Sequence, residues 1–386
     1  MPQTSAPPAA PPAAQRIAFV DYARVLACFL VMLVHASEQF YAADASGLAG
    51  NVSLVANESN RFWVAFYDGT LGRISVPLFM MLSAFLLVPL RPGLSMQQFY
   101  RRRFVRIVPP LLVFMLLYVF LPPLMGQTTW AQAWHDLLLL PFTFPSMAGH
   151  LWFMYPLISL YLIIPVISPW LATASARDER TFLLFFVLST TAPWLVRFVS
   201  ADLWGWCFWN PYFGLFYYCS GYLGYLVLAH YVRTHLRSTL KRRLLVGTLC
   251  LVSGAVFSGW SFWQAGVPGQ LIETPMLEWS WEFCTPNVLL STFGAFLLLT
   301  CLPQHKAPAL ITQAARVSFP MYLVHLLVLN YNAPHVLGSG GAASPVWPVW
   351  IAIPSLALVT WLYCFLLCAL LAKLPGSAYW LGADKR

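Results

Sequence analysis

Residues 21–35 read DYARVLACFLVMLVH. This run decides the fold, because it is apolar and of helical length yet carries Asp21, Arg24 and His35. Extended to residues 17–40 it is long enough to cross a hydrocarbon core of about 30 Å as a helix. At 100° and 1.5 Å per residue, the steps from Arg24 to His35 close three turns plus about 20°, which puts both side chains on one face, roughly 16.5 Å apart along the axis. Asp21 lies three residues before Arg24 and is placed to pair with it near the helix end. On this helix alone, an interfacial ion pair and a hydrogen-bonded helix-end imidazole are the plainer reading. Polar groups at matching depths in other spans shift the balance, since ionisable groups within membranes tend to mark pathways and sites.

The rest of the chain repeats the apolar pattern. Of 386 residues 59% are hydrophobic and 9% charged, with a mean hydropathy of +0.68, far from the roughly 25% charged residues of a soluble domain. Apolar segments near 17–40, 73–91, 107–125, 150–170, 182–200, 211–230, 244–263, 285–302, 317–336 and 347–372 predict an all-α integral membrane bundle of about ten transmembrane helices. With both termini cytoplasmic, all of the 22 Lys and Arg residues except Arg61, Arg73 and Arg197 fall on the inner side, as the positive-inside rule requires. The net charge of +9 reflects that asymmetry, so no nucleic-acid partner is called for. The Pro/Ala-rich residues 1–15 read as a disordered cytoplasmic tail, 16–374 as the transmembrane domain and 375–386 as a second cytoplasmic tail. A cleaved signal peptide is the rival reading of the N-terminal region, opposed by an apolar run longer than such signals carry and by Arg24 within it. Cys207 and Cys284 fall near the outer side, where an oxidising compartment permits pairing. No Cys/His spacing resembles a zinc site, so no metal is expected.

Arginines gather before the third span. In FYRRRFVRIVPPLL, residues 99–112, Arg103 and Arg106 are three apart on one helical face, a fork suited to phosphate groups. A topology signal touching anionic headgroups is the alternative, and for Arg101 and Arg102 the better one. At the other end, AGHLWFMYPLISLY places His150 and Trp152 near the depth of His35, and Glu278 and Glu282 approach the same level. SFPMYLVHLL carries Ser318, Tyr322 and His325, the last near mid-membrane, where an imidazole needs a partner. The three histidines mark either a route from mid-membrane to the outer face or separate, locally satisfied groups. Most of the 17 tryptophans also fall on the outer side, among them Trp152, Trp279 and Trp281. Aromatic belts occupy both interfaces, so the excess points either to a wet vestibule or to a surface where indoles stack on sugars.

With these residues placed, the chain resembles the membrane-bound acyltransferase-3 family, and within it the bacterial O-acetyltransferases of surface polysaccharides. The resemblance covers nearly all of residues 17–372. It rests on Arg24 and His35 with ten residues between them, RISVPLFMMLSAFLL (73–87), RRRFVRIVPP (101–110), HLWFMYPLISLY (150–161) and SFPMYLVH (318–325), in that order. It implies an acyl-CoA-dependent O-acyltransferase in the bacterial inner membrane, moving an acetyl group from cytoplasmic acetyl-CoA to a hydroxyl of an extracytoplasmic glycan or lipid-linked saccharide, beside polysaccharide-synthesis machinery. The donor would meet Arg24, Arg103, Arg106, Ser83, Tyr322 and His325. The sugar would meet Arg73, Trp152, Trp279 and Trp281. His35 would act as general base, with Glu38, Glu282 and His150 as its neighbours; an acetyl-histidine step is the chemical variant. Val25 and Ala84 stand where the family commonly has glycine, which bears on the channel path or acyl size. A transporter or flippase of a glycan or lipid-linked intermediate is the alternative. It shares the intramembrane charge but gives the Arg103/Arg106 pair no special task and lacks an evident internal repeat.

Overall fold

In the computed structural model, residues 17–41, 58–195, 214–265, 282–302 and 306–384 are described. Among them the regular structure is entirely helical. The main helices are α1 (Ala18–Glu38), α2 (Glu58–Val64), α3 (Ser75–Leu87), α4 (Met96–Leu124), α5 (Trp130–Leu139), α6 (Met154–Thr173), α7 (Ala176–Leu195), α8 (Tyr222–Thr234), α9 (Leu240–Ala265), α10 (Pro286–Thr300), α11 (Ala309–Leu337), α12 (Val349–Leu371) and the short α13 (Ser377–Trp380). Among the described residues six helical stretches are long and apolar enough to cross a membrane: Ala18–Glu38, Glu58–Leu87, Met96–Leu124, Gly149–Thr173, Leu240–Gln264 and Val349–Leu371. In such a setting helices are required, because lipid offers no partner for a free backbone group.

Three elements differ from the sequence-based boundaries. The second stretch begins at Glu58 rather than near 73, because a π-helical segment, Ala65–Leu71, and a 3-10 turn, Gly72–Ile74, join α2 to α3 without a break. FYDGTLGRIS reads as a loop on local preference, since Asp and Gly disfavour helix. Packing of the π segment against α9 and α1 overrides that preference. The third helix starts at Met96, where Ser95 and Gln98 form a reciprocal capping box. The arginine run is therefore helical, one to three turns inside α4. The sixth expected span is represented by α8, only 13 residues long and entered through Gly221 at φ 70°, a conformation that favours glycine.

α1 lies at the centre, packed against α11, α12 and α3. Its residues Ala23, Ala27, Met32 and Ala36 are essentially inaccessible. Phe19, Phe85 and Phe296 lock α1, α3 and α10 together with ring separations of 5.2–6.1 Å. α9 and α10 approach most closely through Gly294, where a Cβ would overlap the Leu251 nitrogen and the Gly247 carbonyl, a small-residue contact typical of membrane helices. Pro320 in α11 has no N–H for the Arg316 carbonyl, and the backbone N–H of Asp384 donates to that carbonyl at 3.1 Å. This bond holds the C-terminal segment against α11. Packed structure thus continues past the 374/375 boundary read from the sequence.

Candidate functional site

Two cavities lie along α1, one at each end of the Arg24 to His35 face. At the arginine end is a cavity of about 950 Å³ lined by Arg24, Ser83, Arg91, Arg101, Arg102, Arg103, Arg106 and Arg316, with Tyr161 and Tyr322 deeper in and Tyr379 and Asp384 of the C-terminal segment closing one wall. The helical form of α4 aims Arg102, Arg103 and Arg106 at one space. Arg103 is half-buried, its guanidinium 5.6 Å from the centre of the Phe99 ring, while Arg101, Arg102 and Arg106 are exposed. So many guanidinium groups around one void constitute an anion site by charge and by donor geometry.

At the histidine end is a smaller cavity of about 190 Å³, lined by His35, Glu38, Arg73, His150, Trp152, Phe283 and Tyr322 among others. Phe79, Phe153 and Tyr322 line both cavities. The two voids therefore lie on either side of an aromatic partition formed by α3, the 3-10 turn before α6, and α11.

The polar groups at this end are ordered by contacts between helices. His35 Nδ1 lies 2.5 Å from Glu38 Oε2, both on the last turn of α1. His150 Nε2 lies 3.2 Å from the Leu323 carbonyl, and His325 Nδ1 2.6 Å from the Tyr322 carbonyl. A carboxylate or carbonyl oxygen only accepts, so in each contact the nitrogen donates and, in the neutral ring, the opposite nitrogen carries the lone pair. His150 Nδ1 and His325 Nε2 are buried and have no hydrogen-bond partner among the described residues. The three rings form one cluster, with centres 5.0 Å (His35–His325), 4.6 Å (His150–His325) and 6.4 Å (His35–His150) apart. Tyr322 donates to the His150 carbonyl at 2.5 Å, and Tyr118 accepts from the Leu327 N–H at 3.2 Å while its hydroxyl lies 3.5 Å from His150 Nε2. His35 is the least enclosed of the three rings, 16% exposed against 2% and 0% for His150 and His325.

A second network borders the same cavity. The Arg73 guanidinium grips Asp68 with both arms, Nε to Oδ1 at 2.7 Å and an η nitrogen to Oδ2 at 2.9 Å. Tyr41 donates to Asp68 Oδ2 at 2.5 Å and accepts from Arg73 at 2.7 Å. The wide turn of the π segment brings Asp68 and Arg73 to face each other although they are five residues apart; π segments recur at functional positions. The Arg73 guanidinium sits 5.9 Å from the centre of the Phe283 ring, which in turn stacks on Trp152 at 5.5 Å.

Of the residues singled out from the sequence, Arg24, Arg103, Arg106 and Ser83 line the arginine cavity, Tyr322 lines both cavities, and His35, Glu38, Arg73, His150 and Trp152 line the histidine cavity. His325 lines neither cavity and instead packs against His35 and His150. Glu282 is exposed and lines neither cavity; the acid in contact with His35 is Glu38. Trp279, Trp281, Glu278 and Cys207 lie outside the described residues. Val25 and Ala84, which replace family glycines, line neither cavity, and Ala84 is fully buried. Sequence reasoning missed Asp68, Tyr41, Tyr118 and Phe283. Only Asp68 left a signal, an acid close to Arg73 in an apolar region.

Comparison with curated proteins and with solved structures returned no match. A family model described as an acyltransferase domain matches residues 17–369, nearly the whole helical bundle, with all of the histidine cavity and all of the arginine cavity except the wall given by the C-terminal segment. This multi-pass helical chain therefore belongs to the acyltransferase-3 family of membrane acyltransferases.

Proposed function

We propose that the chain is an acyl-CoA-dependent O-acyltransferase of a bacterial cytoplasmic membrane, with ten transmembrane helices and both termini cytoplasmic. It would carry acetyl from cytoplasmic acetyl-CoA to a hydroxyl of an extracytoplasmic glycan or lipid-linked saccharide. The observation that carries this reading is that an arginine-lined cavity and a histidine-lined cavity lie along one helix face and share Phe79, Phe153 and Tyr322 as lining. Phosphates need the first and acyl transfer needs the second, so one donor spanning the partition would use both. A transport path alone leaves the arginine cluster without a task.

The bound donor supplies an activated thioester carbonyl. Arg103 and Arg106, with Arg24 and Arg316 across the cavity, would hold the donor's phosphates by charge and forked hydrogen bonds. His35 Nε2 would take the proton from the attacking sugar hydroxyl as the new C–O bond forms, then return it to the departing thiolate as the C–S bond breaks. Glu38 would keep Nδ1 protonated, so that Nε2 is the basic nitrogen, and would stabilise the positive ring while it holds the extra proton; such acid–base help is worth about 10² to 10⁴ in rate. Arg73 is locked by Asp68 and Tyr41 beside the cavity and would supply a fixed positive charge near developing negative charge. Trp152 on Phe283 would offer a flat apolar face to a sugar, with Trp279 and Trp281 as further candidates.

The test is transfer of labelled acetyl from acetyl-CoA in proteoliposomes, with a panel of glycans, following acceptor label and free CoA for wild type and His35→Ala. Labelled glycan and stoichiometric CoA from the wild type alone support the proposal. A wild type that neither binds nor consumes acetyl-CoA overturns it.

A further inference from the structure

Asp68 and Glu179 are both completely buried acids, and they are treated differently. Asp68 faces a guanidinium. Among the described residues the polar contacts of the Glu179 side chain are two imidazoles: Oε1 lies 2.8 Å from His230 Nδ1 and 2.9 Å from His235 Nε2, while the buried Oε2 has no hydrogen-bond partner there. The three residues converge through local structure. Ser175 caps α7, exchanging hydrogen bonds with Asp178, which sets Glu179 on the first turn and turns it towards α8. His230 lies on the last full turn of α8, and His235 follows the helix end with φ −109°, so its ring folds back beside His230 although the two are five residues apart.

One ligand atom from each of Glu179, His230 and His235 lies within 4.8 Å of the others. Glu179 and His230 are 0% and 2% exposed, and His235 at 18% provides the opening. Thr234 Oγ1 lies 3.3 Å from His230 Nε2. If that outer nitrogen donates to the hydroxyl, the Nδ1 lone pair is turned to the carboxylate, the arrangement in which a metal-bound histidine is held by a second partner. Two neutral imidazoles do not neutralise a buried carboxylate, whereas a divalent cation does.

We propose that Glu179, His230 and His235 form a binding site for a divalent transition metal, with zinc the best match to two imidazoles and one carboxylate. Tetrahedral zinc with bonds of about 2.0–2.1 Å needs its ligand atoms about 3.3 Å apart, so the two imidazole nitrogens, 2.8 and 2.9 Å from Glu179 Oε1, must each draw back from it by roughly half an ångström. One open position at His235 would hold water. The site ties the start of α7 to the end of α8. Next to it, Arg233 donates to the carbonyls of Phe85 and Val88 at 2.7 and 3.3 Å, and the neighbouring Leu86, Leu87 and Leu90 line the arginine cavity. The metal would therefore brace a wall of that cavity from outside it. The residue pattern hides this site, since the ligand Glu179 is remote in sequence from His230 and His235.

The test uses full-length protein purified in detergent, stripped with EDTA and re-equilibrated with Zn²⁺ or Co²⁺ alone. Metal analysis after removal of free ion should give one zinc per chain, Co²⁺ should develop visible absorption of a low-symmetry nitrogen/oxygen site, and zinc should raise Tm. Glu179→Gln, which preserves a hydrogen-bond acceptor, and His235→Ala, at the helix end, should abolish the cobalt spectrum. Thr234→Val should weaken cobalt binding about 10-fold, and His335→Ala, at an exposed position in α11, should leave it unchanged. Wild type without stoichiometric metal, or a cobalt spectrum that survives in both folded ligand variants, overturns the proposal and leaves an imidazolium–carboxylate contact in its place.

Discussion

The two ends of the Arg24 to His35 face solve opposite problems. The arginine cavity is wide, about 950 Å³, and several of its guanidinium groups, including Arg101, Arg102, Arg106 and Arg316, are exposed. The histidine cavity is about 190 Å³ and its polar groups are tied to named partners, His35 to Glu38 on its own helix and His150 and Tyr322 to each other's elements. Charge at the first end is supplied in parallel, so removing one group leaves others. Function at the second end depends on a series of contacts, in which each group has one position and one partner. Substitutions should therefore act gradually at one end and steeply at the other.

The largest effect is expected for His35→Ala. Acetyl transfer should fall by about 10² to 10⁴, with little change in Tm, because the ring is partly exposed and Glu38, which loses its partner, is 25% exposed and can meet water instead. Steady-state transfer in proteoliposomes and thermal unfolding of the same preparation provide the two readings. Equal losses from single arginine substitutions at the other end would erase the contrast.

Asp68→Ala should come next, acting on stability. It leaves the Arg73 guanidinium, 6% exposed, beside an apolar methyl, and stripping one partner from a buried ion pair costs about 3–5 kcal/mol. Asp68→Asn keeps an acceptor for Tyr41 and should cost less. Unfolding in detergent, monitored by accessibility of a buried thiol such as Cys28, ranks the two; an Asp68→Ala protein as stable as wild type would mean that Arg73 is not held as described.

Glu38→Gln sharpens the comparison within the histidine end. The amide oxygen still accepts from His35 Nδ1, so geometry survives while the negative charge is lost. kcat should fall by about 10 to 100-fold, up to the bottom of the roughly 10² to 10⁴ that a positioned acid–base group supplies, because the base itself is kept, with KM for acetyl-CoA unchanged. A change confined to KM would place Glu38 in binding rather than in support of the imidazole.

The legibility of these ends in the sequence also differs, for a physical reason. Arg24 and His35 share one face of one helix, and Arg103 and Arg106 share one face of another. Helical periodicity alone predicts both pairings. His35 and Glu38, three apart on α1, are neighbours by the same rule, whereas the place of Glu282 depends on where the chain before α10 runs, which no local pattern encodes. The Asp68–Arg73 pair was hidden because a π turn, not an α turn, brings positions five apart together. His150 and His325 were placed at different depths, yet their rings are 4.6 Å apart, because His150 sits in the 3-10 turn before α6 and reaches into the bundle. Glu179 with His230 and His235 was invisible for the same reason: the contact is made by packing of α7 on α8.

The smallest effects, at the arginine end, decide whether the contrast is real. Each guanidinium there can contribute a charge-assisted hydrogen bond worth about 1.5–3 kcal/mol when well formed, but exposure to water and salt reduces it. Arg103 is half-buried beside Phe99 and Arg106 is one turn on, so Arg103→Ala and Arg106→Ala should each raise KM for acetyl-CoA about 10-fold with kcat nearly constant. Arg101 is exposed at the rim, and Arg101→Ala should change KM by about twofold or less, in keeping with a side chain that also meets lipid headgroups. Added salt should raise KM for the wild type and have less effect on the Arg103→Ala Arg106→Ala double variant, because fewer screened contacts remain. A fall in kcat in any of these variants would mean that the arginines position the thioester as well as hold the phosphates, and the two cavities would then have to be treated as one site.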